Sequence, residues 1–184
     1  MCRLKRILFI TGRPGVGKTS VLLRVVRELK NRGKKIGGMV SREVREGGRR
    51  VGFEIISLQN GRKGWLAHIN QPTGPRVSKY RVNLEDLDLI GVKSILEASE
   101  KADIIVIDEV GPMELFSRRF REAVTQALRS GKIIIGTIHF KARDPLIEDI
   151  KSREDAEVLE VTEGNRANLH KLIISRLREF MEKT

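Results

Sequence analysis

The sequence predicts an α/β fold: a mostly parallel sheet covered by helices on both faces, with a β-hairpin-rich insertion. Three observations predict it. Residues 12–19 read Gly-Arg-Pro-Gly-Val-Gly-Lys-Thr, a glycine-rich loop set between an apolar strand pattern and an amphipathic helix pattern. The runs Ile104-Ile105-Val106-Ile107 and Ile133-Ile134-Ile135 are continuously apolar, as strands buried on both faces are. Around and after them, helix and strand patterns alternate, which implies crossovers between parallel neighbours.

The elements follow in order. Residues 5–11 form the first strand and 20–29 the first helix, which stops at Asn31-Arg32-Gly33. Residues 36–41 are a strand, 46–49 a hairpin turn and 51–58 the returning strand. Residues 64–69 and 77–82 add two more short strands, separated by the loop Gln71-Pro72-Thr73-Gly74-Pro75. Residues 41–83 thus read as a β-rich insertion within a single domain of residues 1–184. The alternation then resumes: helix 90–101, strand 103–109, helix 119–130, strand 132–138, helix 144–152, strand 156–162 and helix 165–182.

The octapeptide matches a P-loop without mismatch: glycine, four residues, then Gly-Lys-Thr. Its glycines let backbone N–H groups turn inward around phosphate oxygens. Gly12, Arg13, Pro14, Gly15, Val16, Gly17, Lys18, Thr19 and Ser20 are the candidate nucleotide-binding residues. Lys18 can reach the β- and γ-phosphates, and the Thr19 hydroxyl can ligate Mg²⁺. Asp108 follows four apolar residues at a strand end, a Walker B pattern whose carboxylate supports the metal directly or through water. Strand-end Asp is common in isolation; with the octapeptide it is informative.

Glu109, directly after Asp108, stands where a carboxylate can orient water and accept its proton. A kinase needs no such group, so Asp108-Glu109 tilts the reading toward hydrolysis. Lys18 and Glu109 are therefore the candidate catalytic residues. Thr137 and His139, at the next buried strand end, are candidates to sense a γ-phosphate or hold the water. Arg13, Arg42, Arg45, Arg118, Arg119 and Arg166 are candidates for a cation on the developing charge, and the sequence does not rank them. His68, His139 and His170 lack metal-ligand spacing, so no zinc site is expected.

Composition bounds the setting. One cysteine, Cys2, permits no intramolecular disulfide and fits a reducing cytoplasm. The basic start resembles a targeting segment, yet its apolar run ends at the glycine loop, and no run approaches the ~18 residues of a membrane span. Charged residues make up 33% of the chain, which holds few Gln, as in thermophile proteins. Of a net charge of +12, the first 50 residues carry the whole excess, with fifteen Lys/Arg against three Asp/Glu. That field suits a polyphosphate, and equally the backbone of a nucleic acid. The expected partners are nucleoside triphosphates; the alternatives are hydrolysis coupled to nucleic-acid binding through the basic segment or to protein binding, and a small-molecule or nucleotide kinase. A monomer is favoured.

The same residues resemble a known family, the small thermophile-type P-loop nucleoside-triphosphatases, whose human relative is called cancer-related nucleoside-triphosphatase. The resemblance rests on residues 12–19, Glu43-Val44-Arg45, residues 47–53, Lys79-Tyr80 with Val82, Gly136-Thr137-Ile138, Thr162 and Asn165-Arg166. Its specific part is Asp108-Glu109-Val110-Gly111-Pro112-Met113-Glu114-Leu115-Phe116, which generic P-loop proteins lack. The resemblance implies a RecA/AAA-like core without a separate lid. It implies Mg²⁺-dependent hydrolysis of several nucleoside triphosphates to the diphosphate and phosphate. Lys18 and Thr19 would bind phosphate and metal, Asp108 would support the metal, and Glu109 would activate water. One departure is His139, where the family often carries proline, so the resemblance lends it no role.

Overall fold

The computed structural model describes residues 5–182. Cys2, on which the cytoplasmic expectation leans, lies outside them. In β1 (Ile7–Thr11), Ile7 and Phe9 enter one core and Leu8 and Ile10 the other. Alternate side chains point to opposite faces, so a strand covered on both sides reads as an unbroken apolar run. α1 (Lys18–Asn31) buries Val21, Leu22, Val25, Val26 and Leu29 at helical spacing.

β2 (Ile36–Glu46) and β3 (Arg49–Ser57) form the expected hairpin. Its turn residues Gly47 and Gly48 have φ of 54° and 78°, the two-residue geometry that suits right-twisted strands. β4 (Lys63–His68) follows. Residues 77–82 do not make one strand. β5 (Arg76–Val77) and β6 (Tyr80–Val82) pair antiparallel, with Ser78 at φ 54° in the turn. Ser78-Lys79 carries no glycine, Asn or Asp, so the turn left no compositional mark.

Helical structure begins at Leu84 rather than at residue 90. α2 (Leu84–Asp86) runs through a π turn (Leu87–Val92) into α3 (Lys93–Lys101). Asn83 caps the start by accepting the Asp86 N–H at 3.0 Å. Gly91 lets the π turn pack against the hairpin: a Cβ there would sit 2.6 Å from Ile55 Cδ1. The alternation closes with β7 (Ile104–Val110), α4 (Arg118–Arg129), β8 (Ile133–Ile138), α5 (Pro145–Ser152), β9 (Ala156–Glu160) and α6 (Leu169–Glu182). α6 starts at Leu169 rather than 165 because Asn165 is used in a turn. Its Oδ1 accepts the Thr162 N–H and its Nδ2 donates to the Glu160 carbonyl, both at 2.8 Å.

The nine strands of the described residues join one sheet in the order β5-β6-β4-β3-β2-β7-β8-β1-β9. The stretch β2-β7-β8-β1-β9 is parallel, and β3, β4, β6 and β5 continue it antiparallel, so residues 41–83 are an arm of the same sheet. α1 and α6 cover one face, and α3, α4 and α5 the other. β8 lies between β1 and β7. The loop after β1 and the acids near the end of β7, Asp108 and Glu109, therefore meet at the carboxyl edge, with the end of β8 between them. Among the described residues, no helix is long and apolar enough to cross a membrane.

Candidate active site

The loop after β1 is shaped by its glycines. A Cβ at Gly12 would sit 2.8 Å from the Val161 carbonyl, and Gly17 has φ 107°. Gly17 is also the residue before α1, and no side chain caps the helix there. The first-turn N–H groups thus stay available, with no acid in that turn to repel an anion. Arg13, Pro14, Gly15 and Ser20 are exposed, whereas Val16, Lys18 and Thr19 are half-buried. Lys18 Nζ folds back to 3.3 Å from the Gly12 carbonyl and 3.5 Å from Glu109 Oε2.

Asp108 is buried and takes two hydroxyl donors. Thr19 Oγ1 donates to Oδ2 at 3.0 Å and Thr137 Oγ1 donates to Oδ1 at 2.5 Å. Burial pushes the Asp108 carboxyl up to about 6, and Glu109 adds to the rise; Thr137, Thr19 and Lys18 oppose it. A divalent cation would reverse this balance by favouring the charged form. The donor set is all oxygen, a hydroxyl and a carboxylate within hydrogen-bond distance of each other. That suits Mg²⁺, which binds few protein ligands and relies on substrate phosphates and water for the rest.

Glu109 is raised from the ordinary carboxylate range by burial, with Lys18 opposing. Glu114 follows in a short 3₁₀ turn (Glu114–Phe116) and is 4% exposed. Burial, then the neighbouring Glu109, pushes its carboxyl up to about 8, with the backbone of Glu114 and Gly111 holding it partly down. Gly111 makes room for both acids: a Cβ there would sit 2.9 Å from Glu109 Oε1 and 3.3 Å from Glu114 Oε2.

The structure thus gathers Lys18, Thr19, Asp108, Glu109 and Thr137. Thr137 is fully buried, and its hydroxyl serves Asp108. His139 is half-buried near these groups, its imidazole lowered by burial and by Lys18. Arg166 and Arg13 line a hollow of about 390 Å³ between the loop and residues 160–166. The other arginines are engaged elsewhere. Arg45 pairs with Glu43 and donates to the Gly48 carbonyl at 2.9 Å inside its hairpin. Arg42 pairs with Glu54 at 2.7 Å, Arg118 with Glu122 at 2.8 Å, and Arg119 lies 3.9 Å from Asp88. Sequence reasoning gave Glu114 no role. The one signal was an acid between Met113 and Leu115 in an otherwise apolar turn.

The NTPase family profile matches residues 7–174. Nucleoside-triphosphatase THEP1 of Thermotoga maritima is 46% identical over 171 residues, which is 93% of this chain and 95% of that protein. Nucleoside-triphosphatase THEP1 of Thermofilum pendens is 47% identical over 158 residues, covering 85% and 87%. Among solved structures, THEP1 from the hyperthermophile Aquifex aeolicus superposes with a TM-score of 0.81 at 32% identity, covering 93% of this chain and 98% of that one. A human cancer-related nucleoside triphosphatase also gives 0.81, at 36% identity, covering 95% and 98%. A P-loop facing an Asp-Glu pair across β8, together with likeness over nearly the full length of these proteins, shows that the chain belongs to the NTPase family.

Proposed function

We propose that the protein hydrolyses nucleoside 5′-triphosphates, ATP and GTP among them, to the diphosphate and phosphate. One observation carries the reading. At the carboxyl edge of the sheet Lys18 Nζ lies 3.5 Å from Glu109 Oε2, and Thr19 Oγ1 lies 3.0 Å from Asp108 Oδ2. The triphosphate lies along residues 12–19, within reach of their N–H groups. Lys18 transfers from Glu109 to the β- and γ-phosphate oxygens. Glu109 is then a half-buried carboxylate without its cation, hence a better base. It orients a water and takes its proton as the water oxygen attacks the γ-phosphorus. Thr19 and Asp108 are the residues that would hold Mg²⁺, which neutralises charge on the β- and γ-oxygens. Thr137 keeps Asp108 aimed. The hollow beside Arg13 and Arg166 receives the rest of the nucleotide. That position favours Arg166 over Arg45 as an accessory cation.

The test is phosphate release from a panel of nucleoside triphosphates with Mg²⁺. Lys18→Ala and Glu109→Gln are each expected to lower it about 100-fold or more while circular dichroism stays unchanged. A Glu109→Gln protein at wild-type rate refutes the assignment of the base. Charge placement supports a second reading, hydrolysis coupled to nucleic-acid binding. Arg24, Arg27 and Lys30 face solvent along α1, the helix that begins at the phosphate loop. RNA or DNA would then stimulate turnover with steep salt dependence, and no stimulation removes this reading. The setting we propose is a single-domain monomer in the cytoplasm.

A further inference from the structure

Glu109 faces Lys18, and it also forms part of the wall of a pocket of about 220 Å³. Phe53, Leu66 and Val77 from the antiparallel arm close one side of that pocket, and Met113, Glu114 and His139 the other. At about 30 Å³ of liquid volume per molecule, the space holds roughly seven waters. Hydrolysis needs one. The arm and the turn after β7 thus enclose more room than a hydrolytic water requires, directly beside the proposed water-activating carboxylate.

The walls say what the space suits. Phe53, Leu66, Val77, Pro112 and Met113 make the apolar walls, and Ser41, Glu109, Glu114 and His139 are the polar lining. Among the described residues, no lysine or arginine lines the pocket. A phosphate-bearing occupant would meet the Glu109 carboxylate at the polar end, while the Lys18 ammonium that pairs with Glu109 turns to the triphosphate, which disfavours nucleotides as acceptors. A small uncharged molecule fits: its apolar body against Phe53, Leu66, Val77 and Met113, its hydroxyl toward Glu109. The turn that builds this wall is the stretch from Asp108 to Phe116, whose Gly111 leaves room for both carboxyl groups.

We propose that this pocket is a second-substrate site, in which a small uncharged alcohol with an apolar body competes with water for the γ-phosphoryl group. The proposal rests on the hydrolytic reading of Lys18 and Glu109. In the step, the alcohol oxygen forms a bond to the γ-phosphorus. The bond from that phosphorus to the β–γ bridging oxygen breaks, and its electron pair leaves with the nucleoside diphosphate. The hydroxyl proton goes to Glu109 and then to solvent. The products are a phosphate monoester and the diphosphate, with no change of oxidation state.

The experiment incubates the wild-type protein with ATP, Mg²⁺ and a graded series of primary alcohols from ethanol to 1-hexanol. Phosphorus NMR separates the monoester from free phosphate. The ratio of monoester to phosphate is expected to exceed the alcohol-to-water mole ratio by about tenfold or more for the longer alcohols. It is also expected to rise about threefold to fourfold per added CH₂ until the pocket is full, as apolar burial requires. Val77→Trp, which fills the pocket from the short edge strand, is expected to lower that ratio, read within one sample against its own free phosphate. Free phosphate alone at every chain length overturns the pocket proposal and leaves the hydrolytic reading standing. No loss of γ-phosphate in any form overturns the hydrolytic reading itself. Faster transfer to a phosphate-bearing alcohol such as glycerol 3-phosphate overturns the assignment of an uncharged acceptor.

Discussion

Asp108 and Glu114 are both buried acids, yet their surroundings differ. Asp108 has two threonine hydroxyls within 3.0 Å, which favour its charged form and keep its rise modest. Glu114 has no such hydroxyls and is pushed up to about 8 from an ordinary 4.5. The consequence for stability has a definite sign. The folded state holds a proton on Glu114 that the unfolded chain releases above pH 4.5. Stability from this group therefore falls as pH rises from about 4.5 to about 8 and is level above that. Glu114→Gln removes the proton exchange. Its melting temperature is expected to exceed that of the wild type by several degrees at pH 9 and to match it near pH 4. Equal melting curves at both pH values would show that Glu114 titrates normally.

At the scale of elements, side chains at helix starts tie the second face of the sheet together. Ser117 caps α4 by accepting the Phe120 N–H at 3.0 Å and donates to Asp88 Oδ1 at 2.6 Å. Asp144 caps α5 through the Leu146 N–H at 2.9 Å and grips Arg121 of α4 through both carboxylate oxygens, at 2.8 and 2.7 Å. The Arg121 hydrogen bonds are the main cause holding the Asp144 carboxyl below its ordinary 3.8; burial opposes them. A lowered carboxyl stabilises above the unfolded value and loses that contribution as pH falls through and below 3.8. Asp144→Ala is expected to lose about 1 kcal/mol at neutral pH, the size of a lost cap. Denaturant melts of this variant should also lose less stability between pH 5 and pH 3 than those of the wild type, because the titrating group is gone. An equally steep acid limb would assign the acid sensitivity to other carboxylates.

Across the whole molecule, charge is segregated along the chain. The surplus of +12 falls within the first 50 residues, of which residues 5–50 include β1, the phosphate loop, α1 and most of the hairpin. A positive field on the loop's own segment raises the rate at which a polyanion arrives without changing the chemistry that follows. Raising salt from about 50 to about 500 mM is expected to raise KM for ATP severalfold and leave kcat nearly unchanged, since the ion atmosphere screens approach more than buried contacts. Steady-state kinetics in potassium chloride check this. A fall in kcat with constant KM would place the salt-sensitive charges in the chemical step.

What the sequence determined by itself was short in range. The glycine loop, the strand before it and the helix after it are contiguous. Residues 104–107 of β7 and 133–135 of β8 announce burial on two faces by being apolar without interruption. The Asp108-Glu109 pair was legible because it ends such a run. Ser78 and the π turn were not, because neither leaves a signal in apolar spacing. Only the tertiary structure decided which distant groups meet. Placing β8 between β1 and β7 puts the Thr137 hydroxyl on Asp108. Folding the arm back as β3, β4 and β5 brings Phe53, Leu66 and Val77 over Glu109 and Glu114. Side-chain periodicity is a property of neighbours along the chain. The burial of an acid and the walls of a pocket are set by crossovers that join residues far apart in sequence.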